Sequence, residues 1–145
     1  MDLAGVLGRI PYLRPHRLEA GEDADGAVTV RMPLSETVTN HVGIVHAGAL
    51  FTAAETAAGV AAWRVVPGDR AFVLLRGATV RYTRRAEGDV LARATVEPAA
   101  AEAARTAFDE TGRADLAVEV SATDPAGETV FEGTFDYALR PRRAS

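Results

Sequence analysis

One carboxylate lies inside the longest apolar run of this 145-residue chain, and its position requires an explanation. The run extends from 47 to 66, and a spaced set of residues interrupts it: Thr52, Glu55, Thr56 and Gly59. Their spacing places them in one stripe along a helix. A helix that is apolar on its other sides is normally buried, and a buried carboxylate is unfavourable unless it is paired or used. Glu55 is therefore either a structural acid bonded to a loop of a partner chain or a group that does chemistry.

The start of this predicted helix is the second feature that could do chemistry. It reads His46, Ala47, Gly48, Ala49, with no Ser, Thr, Asp or Asn immediately before it to cap the first N–H groups. Free N–H groups at a helix N-terminus attract anions and polarised carbonyl oxygens, and small side chains let a ligand approach them. The same small residues would also suit a helix start pressed against a sheet, so both interpretations stay open.

Hydrophobic periodicity predicts the elements that would position these residues. Five strands are predicted, at 27–34, 70–84, 90–96, 114–123 and 128–139. Helices are predicted at 47–66 and 98–111, and a short one within 2–19 that Pro11 and Pro15 break. Pro67 with Gly68 and Asp69 would stop the central helix. The connections are predicted as an acidic turn at 21–26, a loop at 35–45 and a hairpin turn at 124–127, with a bulge at Gly77 and a mobile tail at 140–145.

This order of elements predicts the fold class. Short turns between most strands favour an antiparallel sheet, and one apolar helix would bury itself against that sheet. We therefore expect a single α+β domain over 1–145, with a curved antiparallel sheet of about five strands wrapped around one long central helix. Residues 1–25 would form an N-terminal helix and turn beside it.

Composition and charge exclude several classes of function. The net charge of −4 argues against a general nucleic-acid binder, and the lack of cysteine removes thiol nucleophiles and Cys-based zinc sites. His41 and His46 have no third ligand nearby, so no metal site is predicted. Residues 42–66 are long enough to span a bilayer, but His46, Glu55 and Arg64 argue against a membrane segment. With no signal peptide in the sequence, we expect a soluble cytoplasmic protein.

Several segments together resemble the hotdog-fold acyl-CoA thioesterases, in particular their PaaI-like branch. Asn40, Gly43, the segment 46–49 and Glu55 resemble that family's pattern of Asn, Gly, His-Gly-Gly and an acid nine residues after the His. The segments 82–90 and 123–130 resemble its strand-two exit and its last hairpin, so the match extends over about 27–140.

Two residues depart from the family pattern. Ala47 replaces the first Gly, although Ala also carries the backbone N–H that the role requires. Glu55 stands where the PaaI-like branch commonly has Asp, whereas the related 4-hydroxybenzoyl-CoA thioesterases have Glu there. The inserted helix at 98–111 resembles a less characterised subgroup of hotdog proteins.

The resemblance implies a role for each residue of the helix start and stripe. Glu55 would be the general base for water or would attack the thioester directly, and the N–H of Ala47 would stabilise the oxyanion. Gly48 would contact the substrate. Asn40 would hold the water or the substrate carbonyl, unless it is an ordinary turn residue. His46 would shape the loop at the helix start, either as a brace or as a proton carrier, and Thr56 would orient Glu55 or the water. No metal and no cofactor is implied.

Three arginines near the end of the second predicted strand, Arg81, Arg84 and Arg85, could bind the phosphates of coenzyme A. Alternatively, they form a solvated strand end. The acyl group of the substrate cannot be derived from the sequence.

Helix geometry predicts a homodimer with shared sites. Ala47 and Glu55 are eight residues apart, which is about 12 Å along a helix axis, whereas catalytic contacts are about 3 Å. Two helices packed antiparallel across a two-fold axis would place the start of one opposite Glu55 of the other. The resemblance implies the same homodimer, alone or as a dimer of dimers.

Three functions are consistent with these features, and an acyl-CoA thioesterase is the one that Glu55 favours. A hydratase or dehydratase on the same fold would need a His facing the acid, commonly in a His-Phe-Pro-Gly segment, which the sequence lacks. A non-catalytic module that binds acyl-CoA would not need Glu55.

Overall fold

The structure, a computed structural model, describes residues 2–66 and 68–142. Three α-helices are present in this part of the chain: α1 (Leu3–Gly8), α2 (Ala47–Trp63) and α3 (Pro98–Thr111). The strands are β1 (Glu19–Glu22), β2 (Val28–Met32), β3 (Ala71–Tyr82), β4 (Val90–Thr95), β5 (Ala114–Thr123) and β6 (Thr129–Pro141). Short 3-10 turns occur at Pro11–His16 and Glu36–Val38.

The six strands form one curved antiparallel sheet in the order β1-β2-β4-β5-β6-β3, and α2 packs across it. Burial alternates strictly along β5, so one face of that strand belongs to the core. The helix contributes mostly alanines to this core, and Ala53, Ala54, Ala57 and Ala58 are fully buried. Small side chains let the helix lie close to the sheet, so an Ala-rich helix can be buried on nearly all sides.

The predicted α+β hotdog architecture is confirmed. Helix α3 and strand β5 have the predicted bounds, and the pairing register of β3 shifts at Gly77, where a bulge was predicted. Strand β6 continues to Pro141, beyond the predicted strand end, and α2 ends at Trp63 rather than at 66. The predicted helix stop at Pro67 and the last residues of the predicted tail, 143–145, lie outside the described residues.

The N-terminal region agrees with the prediction in part. The short helix predicted within 2–19 is α1, and the 3-10 turn Pro11–His16 follows it, because Pro11 and Pro15 cannot donate the hydrogen bonds of a continuous α-helix. The acidic segment 19–22, part of which was predicted as a turn, forms β1 and pairs with β2. It lacks apolar alternation, so its strand conformation depends on backbone pairing with β2 rather than on a buried face.

The loop before α2 is held by backbone hydrogen bonds to its own first turn and to the segment that follows β3. The N–H of His46 donates to Val38 O at 2.7 Å, and the N–H of Val45 donates to Ala86 O at 2.8 Å. A single β-bridge between Thr39 and Val45 closes the loop. These contacts define where α2 begins relative to the end of β3.

Strand β3 lies at one edge of the sheet, with only β6 as a neighbour. It is long, and four of its large apolar side chains are exposed: Phe72, Leu74, Leu75 and Tyr82. Soluble proteins normally protect such an edge, because its free N–H and C=O groups can pair with another chain.

In the described residues, no helix is both long and apolar enough to cross a bilayer.

Candidate active site

The polar stripe of α2 lines a cavity of about 800 Å³, between the helix, the N-terminal segment and strand β3. Thr52, Glu55, Thr56 and Gly59 all contribute to its wall, as their spacing on one helix face predicts. The cavity is otherwise mainly apolar and is lined by Leu3, Val6, Ile10, Phe51, Val60, Trp63, Phe72 and Val73, among others. A binding site with few polar groups on apolar walls is typical of pockets for small molecules.

The carboxylate of Glu55 faces this cavity without a protein partner. None of the described residues donates a hydrogen bond to it or forms an ion pair with it. Burial raises the pKa of Glu55 above its ordinary value, because the apolar surroundings penalise the charged form. A partly buried acid with a raised pKa in a cavity is a candidate general base or nucleophile.

Tyr137 supports the backbone beneath this carboxylate. Its hydroxyl donates to the carbonyl oxygen of Glu55 at 3.1 Å. The pKa of Tyr137 is raised far above its ordinary value, first by burial and then by the negative charge of Glu55. Gly59 lies one turn further along α2, where an added Cβ would be 3.6 Å from the Tyr137 hydroxyl and 3.7 Å from Glu55 Oε2.

The threonines of the stripe are engaged in hydrogen bonds within the chain. Thr56 Oγ1 donates to Thr52 O at 2.7 Å, and Thr52 Oγ1 donates to Gly48 O at 2.8 Å. The Tyr12 hydroxyl is 3.0 Å from Thr52 Oγ1. Thr56 therefore uses its hydroxyl proton on the helix backbone, and it can meet a water only as a hydrogen-bond acceptor.

The helix start is exposed and is capped by a histidine. His46 Nδ1 accepts a hydrogen bond from the N–H of Gly48 at 2.8 Å, which is the contact expected of a residue that shapes this loop. The N–H of Gly48 is thus occupied, contrary to the expectation of a start without a cap. Among the described residues, none accepts a hydrogen bond from the N–H of Ala47. Tyr82 braces the same turn by donating its hydroxyl to Ala47 O at 2.9 Å.

Asn40 has the hydrogen bonds of a turn residue. Its Oδ1 accepts from the N–H of Val42 at 3.0 Å and from the N–H of Ile44 at 3.3 Å. Its backbone N–H donates to Ile44 O at 2.9 Å. The carboxamide oxygen is therefore used by the loop, and only the Nδ2 donors are available for a water or a carbonyl oxygen.

Within one chain, the structure does not bring the predicted site residues together. Glu55 and Thr56 line the cavity, whereas Asn40, His46 and Ala47 do not. Measured along the helix axis, Ala47 and Glu55 are about 12 Å apart. Either the two groups act independently, or a second copy of the chain completes each site.

The three predicted arginines lie on two different surfaces. Arg81 pairs in register with Glu132 and points away from α2, since the next residue, Tyr82, reaches the helix. Arg84 and Arg85 follow the strand, and both are exposed beside the turn 124–126. They lie between Tyr82, which donates to Ala47 O, and Ala86, which accepts from the N–H of Val45, so their segment adjoins the start of α2. Arg84 forms a surface ion pair with Glu128 at 3.4 Å.

No three His, Asp or Glu side chains within 2–66 and 68–142 are grouped so that they could hold a metal ion.

Several residues of the cavity are not identified by the sequence patterns. Tyr12 and the apolar side chains of α1 belong to a region that the sequence predicts only as a helix and turn. Tyr137 belongs to the predicted strand 128–139, and a buried phenol needs a hydrogen-bond partner, a requirement that could have identified it.

The family described as "Domain of unknown function (DUF4442)" matches residues 3–139, almost the whole chain. The chain belongs to this family. No curated protein shows significant sequence similarity to it.

Among solved structures, a Pseudomonas aeruginosa protein of unknown function, described as a probable thioesterase, is 32% identical. The alignment covers 92% of this chain and 89% of that chain, with a TM-score of 0.80. A thioesterase from Haemophilus influenzae is 14% identical, with 97% and 92% coverage and a TM-score of 0.79. A Bacillus halodurans protein determined with CoA is 23% identical, with 97% and 87% coverage and a TM-score of 0.74. All three are similar to this chain over nearly their whole length, and the two at lower identity show a shared fold.

Proposed function

We propose that this DUF4442 protein is an acyl-CoA thioesterase in which Glu55 is the catalytic carboxylate. The observation that carries the proposal is the Glu55 carboxylate itself, which lies in a mainly apolar cavity, has no partner among residues 2–66 and 68–142, and has a raised pKa. A purely structural acid in such a place would be expected to have a partner. The 32% identity to a protein described as a probable thioesterase supports the same reaction.

The reaction needs one proton acceptor and one stabiliser of negative charge. As a base, Glu55 takes a proton from a water whose oxygen forms a bond with the thioester carbonyl carbon. The C–S bond then breaks, and the coenzyme A thiolate leaves and takes up a proton. As a nucleophile, Glu55 instead forms a mixed anhydride, which water hydrolyses to the free acid and the regenerated carboxylate.

The oxyanion is stabilised by the N–H of Ala47 from a second copy of the chain. This N–H has no acceptor in the described part of its own chain, and it lies at the positive end of the α2 dipole. It is too far from Glu55 of the same helix to serve the same carbonyl. The exposed apolar edge strand β3 supports such a dimer, because antiparallel pairing of two β3 strands would cover its side chains and satisfy its backbone.

The remaining residues have supporting roles in this proposal. Asn40 Nδ2 donates to the attacking water or to the substrate carbonyl, and Thr56 Oγ1 accepts a hydrogen bond from the water. His46 keeps the first turn of α2 in place through its cap. The coenzyme A phosphates bind at Arg84 and Arg85, which adjoin the helix start, and Arg81 is the least favoured of the three arginines because it lies on the outer face.

The test is a hydrolysis panel of short, long and aromatic acyl-CoA substrates, with the released thiol as the readout. On the best substrate, Glu55→Gln should lower kcat by about a hundredfold or more, since it keeps the size of the side chain and removes the base. Glu87→Gln, at an exposed position, is the matched control and should leave kcat unchanged. Wild-type turnover in Glu55→Gln would mean that Glu55 is structural. Acyl-CoA binding without hydrolysis by the wild type would indicate a non-catalytic module.

A further inference from the structure

The cavity next to Glu55 is elongated along α2. It follows the helix from Phe51 to Trp63, about 18 Å, and Glu55 lies near one end of this stretch. The opposite wall consists of apolar side chains of α1 and the turn after it, such as Val6 and Ile10, and Val73 of β3 lies at the side. The space beyond Glu55 is therefore a channel of about 12 Å between the carboxylate and Trp63.

The hydroxyl groups of this channel are already hydrogen-bonded within the chain. Tyr137 donates to the carbonyl of Glu55, Thr56 donates to the carbonyl of Thr52, and Tyr12 is paired with the hydroxyl of Thr52. Because their protons are used within the chain, they are poorly placed to donate hydrogen bonds to a second carboxylate on a substrate. Charged side chains, including Asp2, Arg9, Asp69 and Arg142, also contribute to the cavity lining.

Gly59 lies in the middle of the channel wall and has no side chain that could fill the space beside it. Glycine weakens a helix interior relative to alanine, so its presence in α2 requires a compensating reason. An added Cβ would meet the Tyr137 hydroxyl and Glu55 Oε2 only at ordinary van der Waals distance, so alanine would fit. A longer side chain at this position would extend past these atoms into the channel and fill it.

We propose that the channel between Glu55 and Trp63 is an acyl-chain pocket, that Gly59 sets its depth, and that the substrates carry long unbranched acyl groups. This inference deepens the proposed thioesterase function and rests on it for the identity of the ligand. A flexible apolar chain suits an elongated channel whose hydroxyl groups are already bonded. Each methylene that the walls bury is expected to raise affinity by up to about fourfold.

The test measures binding without hydrolysis, so that it does not depend on catalysis. S-hexadecyl-CoA and S-butyl-CoA are thioethers that cannot be hydrolysed, and both are titrated calorimetrically below the micelle concentration of the longer one. We expect the hexadecyl compound to bind at least about a hundredfold more tightly to the wild-type protein, because a butyl chain fills only part of the channel of about 12 Å, whereas the hexadecyl chain fills it and extends beyond Trp63. Equal affinities would overturn the acyl-chain pocket.

Substitutions on both walls locate the chain. Gly59→Leu should weaken S-hexadecyl-CoA binding by about tenfold or more and S-butyl-CoA binding by less than about twofold. Gly59→Ala is the matched control, with less than about threefold change for either compound. Ile10→Trp narrows the channel from the other side at a partly exposed position and should give the same pattern, even if the leucine variant fails to fold.

The outcomes separate this inference from the proposed function. Tight S-hexadecyl-CoA binding that Gly59→Leu weakens, in a protein that hydrolyses no acyl-CoA, would support the pocket and contradict the thioesterase. Hydrolysis confined to short or aromatic acyl groups would support the thioesterase and overturn the pocket. If Gly59→Leu dissociates a dimer and leaves chain-length preference unchanged, the channel is filled by a second copy of the chain, and the inference is wrong.

Discussion

At the scale of single residues, Glu55 combines two opposing properties. Its burial makes the charged form unfavourable, whereas the proposed reaction requires that form. The raised pKa also makes Glu55 a stronger base than an ordinary glutamate when it is ionised. Tyr137 contributes by holding the Glu55 carbonyl rather than by donating to the carboxylate, so the carboxylate stays free for a water or a substrate.

The raised pKa of Glu55 predicts the acid limb of the pH–rate profile. Activity requires the ionised carboxylate, so kcat/KM should fall as pH decreases through a midpoint above the ordinary glutamate value of about 4.3. A profile of kcat/KM against pH measures the pKa in the free protein. A midpoint at or below the ordinary value would contradict the idea that burial controls this group.

The same pKa shift also affects stability, but with the opposite pH dependence: activity falls as pH decreases, whereas this contribution to stability falls as pH increases. Because the folded pKa of Glu55 is raised above the unfolded one, the folded state binds the proton more tightly. The contribution of Glu55 to stability is fully present below the pKa of this group in the unfolded chain, and it is lost as pH rises through its pKa in the folded protein. Wild type should therefore lose free energy of unfolding relative to Glu55→Gln over that interval, as denaturant titrations at several pH values would show.

At the scale of elements, the start of α2 and the end of β3 form one unit. Tyr82 donates to Ala47 O, and Ala86 O accepts from the N–H of Val45, so the two segments are fastened together. Gly48 is suited to this turn because an added Cβ would be only 3.1 Å from His46 Nδ1, which accepts its N–H. A rigid helix start is a condition for any stabilisation of an oxyanion by its N–H groups.

The three arginines at the end of β3 and just after it are predicted to have unequal roles. Arg84→Ala and Arg85→Ala should each raise KM for acyl-CoA by about threefold to tenfold, because each removes a contact to a phosphate near the helix start. Both should change KM for a truncated pantetheine thioester much less, since that substrate lacks the nucleotide phosphates. Arg81→Ala, on the outer face, is the matched control and should behave like wild type. Equal effects on the two substrates would exclude a phosphate contact.

At the scale of the whole molecule, the proposed site requires two chains. A single chain presents an incomplete site, with Glu55 in the cavity and Ala47 about 12 Å away along the axis. The apolar edge strand β3 also remains uncovered in a single chain. In a two-fold dimer, the helix start of each chain would face Glu55 of the other chain, and the two β3 strands would cover each other. Every such contact occurs twice, because the interface is isologous.

The dimer predicts complementation between two inactive variants. Ala47→Pro removes one N–H at a position where proline is tolerated, and Glu55→Ala removes the acid. After co-refolding in equal amounts, about half of the dimers are mixed and each has one intact site of two, so roughly a quarter of wild-type activity should return. Native mass spectrometry measures the mixed fraction, and its presence without recovered activity would show that both residues serve one site within one chain.

A second mixture provides the control for this experiment. The double variant with both substitutions is co-refolded with an equal amount of wild type. If sites are shared, every site of a mixed dimer lacks one group, and the mixture keeps about a quarter of the activity of the same total amount of wild type. If sites are not shared, it keeps about half.

The sequence by itself determined the central helix, the strands with regular alternation and the polar stripe that includes Glu55. These features depend on local periodicity, and periodicity is set by which face of each element is buried. The N-terminal region was predicted less well. Its segment 19–22 becomes a strand only because β2 offers free backbone groups beside it, and no local pattern encodes such a neighbour.

Only the tertiary structure decided what surrounds Glu55. It showed that α1 and the following turn form a wall of the cavity, that Tyr137 supports the Glu55 carbonyl, and that His46 occupies the N–H of Gly48. It also separated Arg81 from Arg84 and Arg85. Each of these results joins residues that are far apart in the chain or depends on the direction of a single side chain. The folding of the chain sets such contacts, whereas composition and spacing carry information only about the immediate neighbourhood of a residue.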